Sequence, residues 1–517
     1  MDAVLQPGYD VIVCGAGSSG SVIARRLAEN ADVRVLLLEA GGSDDVPGVT
    51  EAGQWPTNLG SERDWAFVSE PDPRLHGRSI PFSMGKALGG GSSINLMVWA
   101  RGHRNDWDHF ADESGEPAWD YEHVLGLYRQ IEDWHGVGEP HHRGRGGLVF
   151  VEPARDTHPI AAATLDAARA HGIPTFQSPN GRMMESARGA AFIDLRVREG
   201  KRQSVFRTYT APYLDRPNLT VVPHALVTRV TFDGNRATGV EVRHGGETHH
   251  VAAEAEVVLS LGAIHTPKVL MQSGVGDSDE LRGAGVTARH HLPGVGRNFQ
   301  DHFGFDVVWE FPEGVQPAAL AGAALFWDSG AAGVDGPDLF ACLGPFPKST
   351  PENVAKFGLP LNSWILFGSP THPASRGRLR LSGPGPDDPI RIEANALSEP
   401  EDLKTAIACI ETLREIGNSP ELRPFVAREV MPGDLSGAEL DAYLRDAVST
   451  YWHESGTAKM GRDEMSVVDG RLKVYGLENL RVADASIMPR ITSGNTMAPC
   501  VVIGERAAEF IKAEHRF

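Results

Sequence analysis

Three glycines near the N-terminus have the spacing of a nucleotide-binding turn. Gly15, Gly17 and Gly20 form the pattern Gly-x-Gly-x-x-Gly, and the acidic residue Glu39 follows about 20 residues later. In this pattern the first glycine permits a tight turn, the second leaves room for a pyrophosphate, and the third lets a helix pack closely on a strand. Glu39 can accept hydrogen bonds from both ribose hydroxyls, and its charge would repel a 2′-phosphate. These residues therefore predict a dinucleotide site.

The segments around these glycines are the ones that such a turn needs. Residues 9–14 have strand composition, residues 21–29 are apolar at helical spacing, and residues 33–38 form a second apolar run. The free N–H groups at the start of the helix, together with its dipole, would then face the phosphates. A plain glycine-rich turn in an α/β sheet is the alternative, which the strand, turn, helix, strand order disfavours. NAD and FAD both use this motif, so it leaves the choice between them open.

The charge, hydrophobic share and length of the chain exclude several classes of protein. The 517 residues carry 49 Lys and Arg against 68 Asp and Glu, a net charge of −19, which argues against a general nucleic-acid or anionic-membrane surface but leaves a local basic groove possible. The hydrophobic share of 41% predicts a large core and excludes a mostly disordered chain. The length predicts two to four domains, or fewer if one sheet is large.

The cysteines and the N-terminus indicate a reducing compartment. Four cysteines lie far apart without a Cys-x-x-Cys pair, which favours neither a disulfide scaffold nor a zinc knuckle. The first residues lack a basic stretch before an apolar run, and no apolar run approaches the roughly 18 residues of a membrane span. We therefore predict a cytoplasmic protein with no membrane or nucleic-acid partner.

Adjacent histidines diverge on a helix or a strand, so we predict no metal site. The oligomeric state is left open.

A second glycine-rich stretch follows at residues 85–95. Between Leu88 and Asn95 it places three glycines and two serines, which can bring backbone N–H groups against an anion or a flat ring. The run continues into apolar residues 96–99, which favours a buried setting over a flexible solvent loop. Further on, residues 257–263 have the composition of a buried strand that ends in glycine. Pro267 is then predicted to open an apolar helix.

Together these stretches resemble the glucose-methanol-choline (GMC) family of flavin oxidoreductases. Seven motif regions carry the resemblance over nearly the whole chain, at residues 85–95, 100–102, 262–276, 296–302, 452–453, 483–486 and 494–499. The resemblance implies FAD and an α/β fold, with a Rossmann-like FAD-binding domain and an inserted α+β substrate domain that contains an antiparallel sheet. It implies an FAD-binding domain of residues 1–155, 200–298 and 448–517, and a substrate domain of residues 156–199 and 299–447.

The resemblance also implies site residues. His453 takes the position of the family's active-site histidine and Asn495 that of its partner, although an isolated histidine is more often structural. Val227 matches a backbone contact to adenine, Asn95 a position beside the flavin ring, and Ala485 a contact near the ribityl chain. The full set of implied FAD contacts is Gly15, Gly17, Ser18, Ser19, Gly20, Glu39, Ala40, Leu88, Gly90, Gly91, Ser92, Asn95, Met97, Val98, Val227, Trp452, Asp484, Ala485, Asn495, Thr496 and Met497. Some relatives carry a flavin-linked histidine at the position of Ile94, so we predict dissociable FAD here.

The implied reaction is oxidation of a primary alcohol to an aldehyde, with hydride transfer to flavin N5. The imidazole of His453 would accept the hydroxyl proton. The neutral amide of Asn495 would hold the oxygen without titrating. The electron acceptor is oxygen or another molecule. Oxidase and dehydrogenase both remain open, as do choline-like, aromatic, furanic, sugar and aminoglycoside alcohols. The alternatives are a hydroxynitrile-type lyase that does not reduce its flavin and a light-driven decarboxylase.

Some positions depart from the family pattern. Glu454 and Ser455 replace small or proline residues, Met497 stands where Asn is common, and Tyr451 is bulky enough to restrict oxygen access.

In the substrate domain, residues 307–311, 364–367 and 379–381 are predicted strands of the antiparallel sheet, and residues 400–416 and 435–448 are predicted helices. Three aromatic residues there are candidates either for the pocket lining or for the core, namely Phe340, Trp364 and Phe367.

Overall fold

The structure, a computed structural model, describes residues 5–155, 157–318, 320, 322–330 and 336–517. In chain order the strands are β1 (Gly8–Cys14), β2 (Val35–Leu38), β3 (Phe67–Val68), β4 (Pro81–Phe82), β5 (Val98–Trp99), β6 (Glu132–Trp134), β7 (Val149–Pro153), β8 (Gly189–Phe192), β9 (Asp194–Leu195), β10 (Val197–Arg198), β11 (Lys201–Arg202), β12 (Leu219–Val222), β13 (Leu226–Asp233), β14 (Arg236–His244), β15 (Glu247–Leu259), β16 (Val275–Gly276), β17 (His290–His291), β18 (Phe303–Glu310), β19 (Ala323–Trp327), β20 (Leu339–Gly344), β21 (Ser363–Pro370), β22 (Arg378–Leu381), β23 (Ile390–Glu393), β24 (Arg428–Met431), β25 (Ser449–Thr450) and β26 (Leu480–Val482).

The helices complete the set of elements. They are α1 (Ser18–Leu27), α2 (Pro47–Thr50), α3 (Gly91–Ile94), α4 (Arg104–Ser114), α5 (Tyr121–Ile131), α6 (Ile160–Ala170), α7 (Gly262–Gln272), α8 (Ser278–Gly283), α9 (Pro351–Phe357), α10 (Pro400–Gly417), α11 (Gly437–Ala447) and α12 (Met497–His515). Within the described part of the chain, none of them is both long and apolar enough to cross a bilayer.

The first sheet has the parallel core that the glycine motif predicts. Its strand order is β12-β2-β1-β15-β14-β13, and β26 pairs with the end of β15. Strands β12, β2, β1, β15 and β26 run parallel, whereas β13 and β14 form an antiparallel extension. Strands β1 and β2 are buried along nearly their whole length, as expected for a parallel sheet covered on both faces. On one face α1 contacts α12 so closely that a Cβ at Gly504 would lie 2.7 Å from the carbonyl oxygen of Ser19.

The second sheet is antiparallel, as predicted. Its order is β24-β18-β21-β20-β19-β8, and β25 pairs with the start of β18. The predicted strands at 307–311 and 364–367 fall in β18 and β21, but the one at 379–381 lies in a separate hairpin, β22 with β23. Trp309 and Trp364 oppose each other in the register of β18 and β21, and their rings stack at 4.4 Å. Trp364 is therefore a core residue.

Helix α7 begins earlier than the sequence predicts. It starts at Gly262, and Pro267 lies inside it instead of opening it. Proline has no N–H to donate to the carbonyl of Ala263, and that carbonyl accepts the hydroxyl of Thr457 instead. The contact ties the helix to the segment that carries His453. The predicted helices at 400–416 and 435–448 correspond to α10 and α11.

The carboxyl ends of four parallel strands meet at one edge of the first sheet. Gly15, Glu39, Ser260 and Asp484 follow β1, β2, β15 and β26 closely, and all four line the same cavity. Open α/β sheets bind ligands at this edge, where the chain reverses direction across the sheet. Residues from β20 and β21 line the same cavity, so both sheets contribute to one site.

Candidate active site

Residues from both sheets line one cavity at this edge. Both glycine-rich turns line it, as do the segments that carry His453 and Asn495. The motifs are distant in sequence and come together at this site.

The first glycine turn is tightly packed on its protein side. Gly15 has a φ of +97°, and a Cβ there would lie 2.3 Å from the carbonyl oxygen of Ser260. A Cβ at Gly20 would lie 1.9 Å from the carbonyl oxygen of Gly15. Any side chain at either position would therefore displace backbone. Gly20 serves this close approach and does not line the cavity.

The cavity side of the two turns is open backbone. A Cβ at Gly91 would meet no atom within 4 Å, and one at Gly17 would meet only the Ser260 carbonyl oxygen, at 4.0 Å. At Gly90, with φ +52°, a Cβ would lie 2.7 Å from Gly17, so the two turns touch. The bare backbone of both turns thus faces a ligand from adjacent positions.

Two long helices begin at the cavity with uncapped N-termini. Helix α1 starts after Gly17 and α12 after Thr496; neither has a side-chain cap or an acidic residue in its first turn. Both N-cap residues line the cavity. Free N–H groups and the helix dipole at such ends favour a bound anion such as a diphosphate.

Glu39 is more constrained than its sequence position suggests. Its carboxylate accepts the N–H of Ala16 at 3.1 Å and that of Gly41 at 2.8 Å. Burial raises the pKa of Glu39 to about 7, against the opposing effect of these hydrogen bonds. Each carboxylate oxygen can accept more than one hydrogen bond, so a ribose hydroxyl can still be bound.

Two buried arginines lie behind the second glycine turn. Arg202 donates from Nη1 to the Asn95 side-chain oxygen at 2.8 Å and to the Ser92 carbonyl at 3.3 Å. Neither Arg202 nor Arg196 forms an ion pair with a carboxylate among the described residues. Burial lowers the pKa of Arg196 to about 10 and that of Arg202 to about 9, the latter also through the charge of Arg196. Neither arginine lines the cavity itself, but Arg202 holds Ser92 and Asn95, which do.

His453 lies between His302 and Asn495. Its Nδ1 is 2.8 Å from His302 Nδ1, and its Nε2 is 3.0 Å from Asn495 Nδ2. Its backbone N–H donates to Asp301 at 2.9 Å. His453 follows β25, which pairs with β18, so the second sheet holds the segment in place. The structure thus brings together the two residues predicted to act on substrate.

The hydrogen bonds around His302 determine the tautomer of His453. His302 Nε2 lies 2.9 Å from the carbonyl oxygen of Thr371, which can only accept, so Nε2 carries the proton. In a neutral ring Nδ1 of His302 is then bare and must accept from Nδ1 of His453. Nε2 of His453 is left unprotonated beside Asn495. Burial lowers the pKa of both rings, to about 3 for His302, so both are neutral.

The loop that carries Asn495 is anchored by Asp106. This carboxylate accepts the backbone N–H of Ser493 at 2.7 Å and its hydroxyl at 3.0 Å, and it lies 2.8 Å from His372 Nε2. A nucleophilic triad needs the histidine to contact serine and aspartate through opposite ring nitrogens. Here His372 Nε2 contacts both. The group therefore positions the Asn495 loop and is not a second catalytic centre.

A buried acidic side chain lines the cavity next to His453. Glu454 is buried, and neither of its carboxyl oxygens meets a hydrogen-bond partner on another described residue. Burial, and then the charge of Asp301, raise the pKa of Glu454 well above its usual value. Burial also raises the pKa of Asp301, to about 7. Across the described residues, no group of three or more His, Cys, Asp or Glu side chains is arranged to hold a metal ion.

Most of the sequence-predicted site residues line the cavity, and their individual roles stay predictions. The lining includes His453, Gly15, Gly17, Ser18, Ser19, Glu39, Ala40, Gly90, Gly91, Ser92, Asn95, Val98, Val227, Trp452, Asp484, Ala485, Asn495, Thr496 and Met497. Besides Gly20, two predicted residues lie outside it. The backbone of Leu88 closes the turn through Gly42 and Ser93. The side chain of Met97 packs in a separate apolar cluster with residues such as Ile193.

The sequence did not identify the substrate side of the cavity. Its lining residues there are Cys342, Leu343, Gly344, Phe346, Lys348 and Ile365, which belong to no motif. Of the three aromatic candidates only Phe367 lines the cavity, because Phe340 packs behind it against His302 and Tyr451. His302 was also missed as a functional residue, although it ends the motif at 296–302.

Comparison with known proteins identifies the family of the chain. Two family profiles, both described as GMC oxidoreductase, match residues 9–304 and 373–504. Mitochondrial choline dehydrogenase of Mus musculus is 38% identical over 542 residues, covering 98% of this chain and 89% of that protein. Alcohol dehydrogenase (acceptor) of Pseudomonas putida is 36% identical over 535 residues, covering 97% of this chain and 95% of that protein.

A solved structure extends the likeness to the whole fold. Pyridoxine 4-oxidase from Mesorbium loti superposes with a TM-score of 0.92 at 32% identity, covering 98% of this chain and 99% of that one. The fold class and the family resemblance predicted from the motifs are thus confirmed. The chain belongs to the GMC oxidoreductase family and is an FAD-dependent oxidoreductase that acts on CH–OH donors.

Proposed function

We propose that this enzyme oxidises a primary alcohol to an aldehyde, with His453 as the base and Asn495 holding the alcohol oxygen. The observation that carries the proposal is the unprotonated Nε2 of His453, 3.0 Å from the Asn495 amide, on the cavity that both glycine turns line. FAD supplies the hydride acceptor, flavin N5, when it is bound. The glycine turns and the starts of α1 and α12 would hold its diphosphate.

The protein groups at the site supply complementary functions. His453 Nε2 takes the hydroxyl proton as the carbon–oxygen bond becomes a carbonyl and the hydride leaves carbon. The Asn495 amide has two N–H groups; one faces His453, and the other can donate to the developing charge on oxygen. Burial keeps His453 neutral in the resting enzyme, so the base is ready at neutral pH.

One anaerobic titration with neutral alcohols tests this proposal. We expect loss of the oxidised flavin absorbance on mixing, with one aldehyde formed per flavin reduced. Turnover of a substrate while the flavin stays oxidised would contradict the proposal and point to a lyase. Repeating the assay with oxygen and following peroxide then distinguishes an oxidase from a dehydrogenase.

The FAD is expected to be non-covalent. The side chain of Ile94, which lines the cavity, has no nucleophilic atom for a bond to the flavin. After acid precipitation the yellow colour should therefore appear in the supernatant, with a colourless pellet. A pellet that stays yellow after washing would show a covalent link at some other residue.

Replacing Arg202 by Met should weaken FAD binding by about tenfold, since it removes the hydrogen bonds from the guanidinium to Ser92 and Asn95 in the second glycine turn. The same change removes an uncompensated buried charge from the apoprotein. The expected signature is therefore a smaller rise in melting temperature on adding FAD, with little loss of stability in the apoprotein itself.

Arg143 provides a matched control for this variant. It is as buried as Arg202, but it is paired with Glu132 and Asp194 at 2.8 Å each. Arg143→Met should destabilise the apoprotein, but adding FAD should still raise its melting temperature by nearly as much as in the wild type. If the two variants gave the same pattern, Arg202 would have no special relation to the cofactor.

A further inference from the structure

A lysine ammonium group lies at the substrate side of the cavity. Lys348 follows β20, and its Nζ is 3.4 Å from the centre of the Phe367 ring and 3.2 Å from Asp306 Oδ1. Asp306 and Phe367 face each other in the register of β18 and β21, so two central strands fix the position of the lysine. Lys348 and Phe367 line the same cavity as His453.

The lysine, and not its acidic partner, faces the cavity. Asp306 is fully buried, whereas the side chain of Lys348 keeps 24% exposure. An ammonium has three donors, and the contact with Asp306 uses one of them. The remaining donors can reach an acceptor in the cavity. Asp306 thus neutralises the lysine from behind without competing for a ligand.

Three acidic residues are among the described lining residues of the cavity, and they lie in different surroundings. Glu39 lies at the end of β2, among backbone N–H groups of the first glycine turn. Asp484 accepts from Gly262, Thr266 and Ser486. Glu454 lies beside Asp301, and burial together with that neighbouring charge raises its pKa. A positively charged alcohol would also meet the Lys348 ammonium in this cavity.

The aromatic ring beside Lys348 already has both faces covered. Quaternary ammonium groups are recognised by the faces of aromatic rings. Phe367 has the Lys348 ammonium over one face and the Tyr451 ring stacked at 4.1 Å, which fits only on the other. At Phe367 the protein's own cation therefore occupies the place of a substrate cation.

We propose that the enzyme acts on alcohols that carry an anionic group, such as a carboxylate, at the end remote from the hydroxyl, and that Lys348 binds this group. The apolar side chains of Leu343, Phe346 and Ile365 suit a hydrocarbon or aromatic body between the two ends. Choline-like alcohols are then poor substrates, in contrast to what the names of several relatives indicate for those proteins. This inference rests on the proposed alcohol oxidation.

Charged substrates and their neutral isosteres test the inference. The first pair is 4-(hydroxymethyl)benzoate and 4-(hydroxymethyl)benzamide, and the second is choline and 3,3-dimethylbutan-1-ol. In the wild type, kcat/KM should be at least about tenfold higher for the benzoate than for the benzamide, the effect of one charge-assisted hydrogen bond. It should be lower for choline than for its neutral isostere. A preference for choline over dimethylbutanol would overturn the inference.

Variants then attribute the preference to the lysine. Lys348→Met should remove the benzoate preference, mainly through KM, and leave kcat/KM for neutral alcohols within a few-fold. The double variant Lys348→Met with Asp306→Asn guards against misfolding, because it leaves no buried charge unpaired. Lys356→Met is the control, since Lys356 pairs with Asp446 outside the cavity lining. An unchanged benzoate preference in the folded double variant would refute the role of Lys348.

A binding measurement separates this inference from the proposed function. Benzoate and benzamide can be titrated against the oxidised holoenzyme, with the flavin spectrum as the signal. Tighter binding of benzoate that disappears in the Lys348 variants supports the inference even if no alcohol reduces the flavin, in which case the proposed reaction alone fails. Equal binding of benzoate and benzamide by the wild type would overturn the inference alone.

Discussion

His453→Ala should slow anaerobic flavin reduction by a neutral alcohol about 10²- to 10⁴-fold, the usual contribution of a positioned general base. The lone pair of His453 Nε2 is on the cavity side, where it accepts from the Asn495 amide until a substrate hydroxyl takes that place. Because the ring does not support either glycine turn, FAD content should stay near that of the wild type. Stopped-flow absorbance at the oxidised flavin band measures the effect per bound flavin.

His265 offers a control inside the same cavity. Its ring is partly buried and packs against Trp65 and Phe67, and desolvation lowers its pKa to about 3. His265→Phe should reduce flavin at nearly the wild-type rate per bound FAD. If His453→Ala slowed reduction by only a few-fold, or if both variants slowed it equally, His453 would not be the base.

His302→Phe should lower the rate of flavin reduction by about 10²-fold with little change in KM. The phenyl ring preserves packing against Phe340, but it removes the acceptor that keeps the proton on Nδ1 of His453. The proton can then move to Nε2, which leaves no lone pair toward the substrate. Loss of the orienting partner of a catalytic histidine costs up to about 10⁴-fold in serine proteases, through the same wrong tautomer.

A second variant distinguishes this positioning role from a merely structural one. His302→Gln restores an acceptor oxygen and should recover part of the lost rate. Nitrogen NMR of the holoenzyme with labelled histidine should show the Nδ1-protonated form of His453 in the wild type and a mixture in His302→Phe. A wild-type spectrum with the proton on Nε2 would refute the relay through His302.

The cofactor half of the site is encoded in short segments of sequence. The turn at Gly15 needs a positive φ and a bare Cα against Ser260, and only glycine supplies both. The flanking strands are continuous apolar runs because both faces of the parallel sheet are covered. These requirements are met within short segments and are visible in the sequence as glycine spacing and apolar runs. The first sheet and most of the cavity lining around the turns could therefore be predicted from the sequence.

The substrate half depends on contacts between distant segments. Lys348 reaches the cavity because β18 and β21 place Asp306 and Phe367 side by side, and no spacing in the sequence reveals that register. His302 likewise gains its role only when Thr371, far along the chain, presents a carbonyl to it. The helix around Pro267 was placed wrongly because Thr457 satisfies a carbonyl that proline leaves without a donor.

The turn after β21 links substrate choice to catalysis. Thr371 fixes the ring of His302, and its neighbour His372 contacts Ser493 in the loop that carries Asn495. The strand that leads into this turn also supplies Phe367 and Ile365 to the cavity. Attempts to engineer a new specificity by moving β21 would therefore disturb the base and the oxygen-binding amide together. The loop that carries Lys348 is the part of the pocket that directed evolution can alter while keeping the chemistry intact.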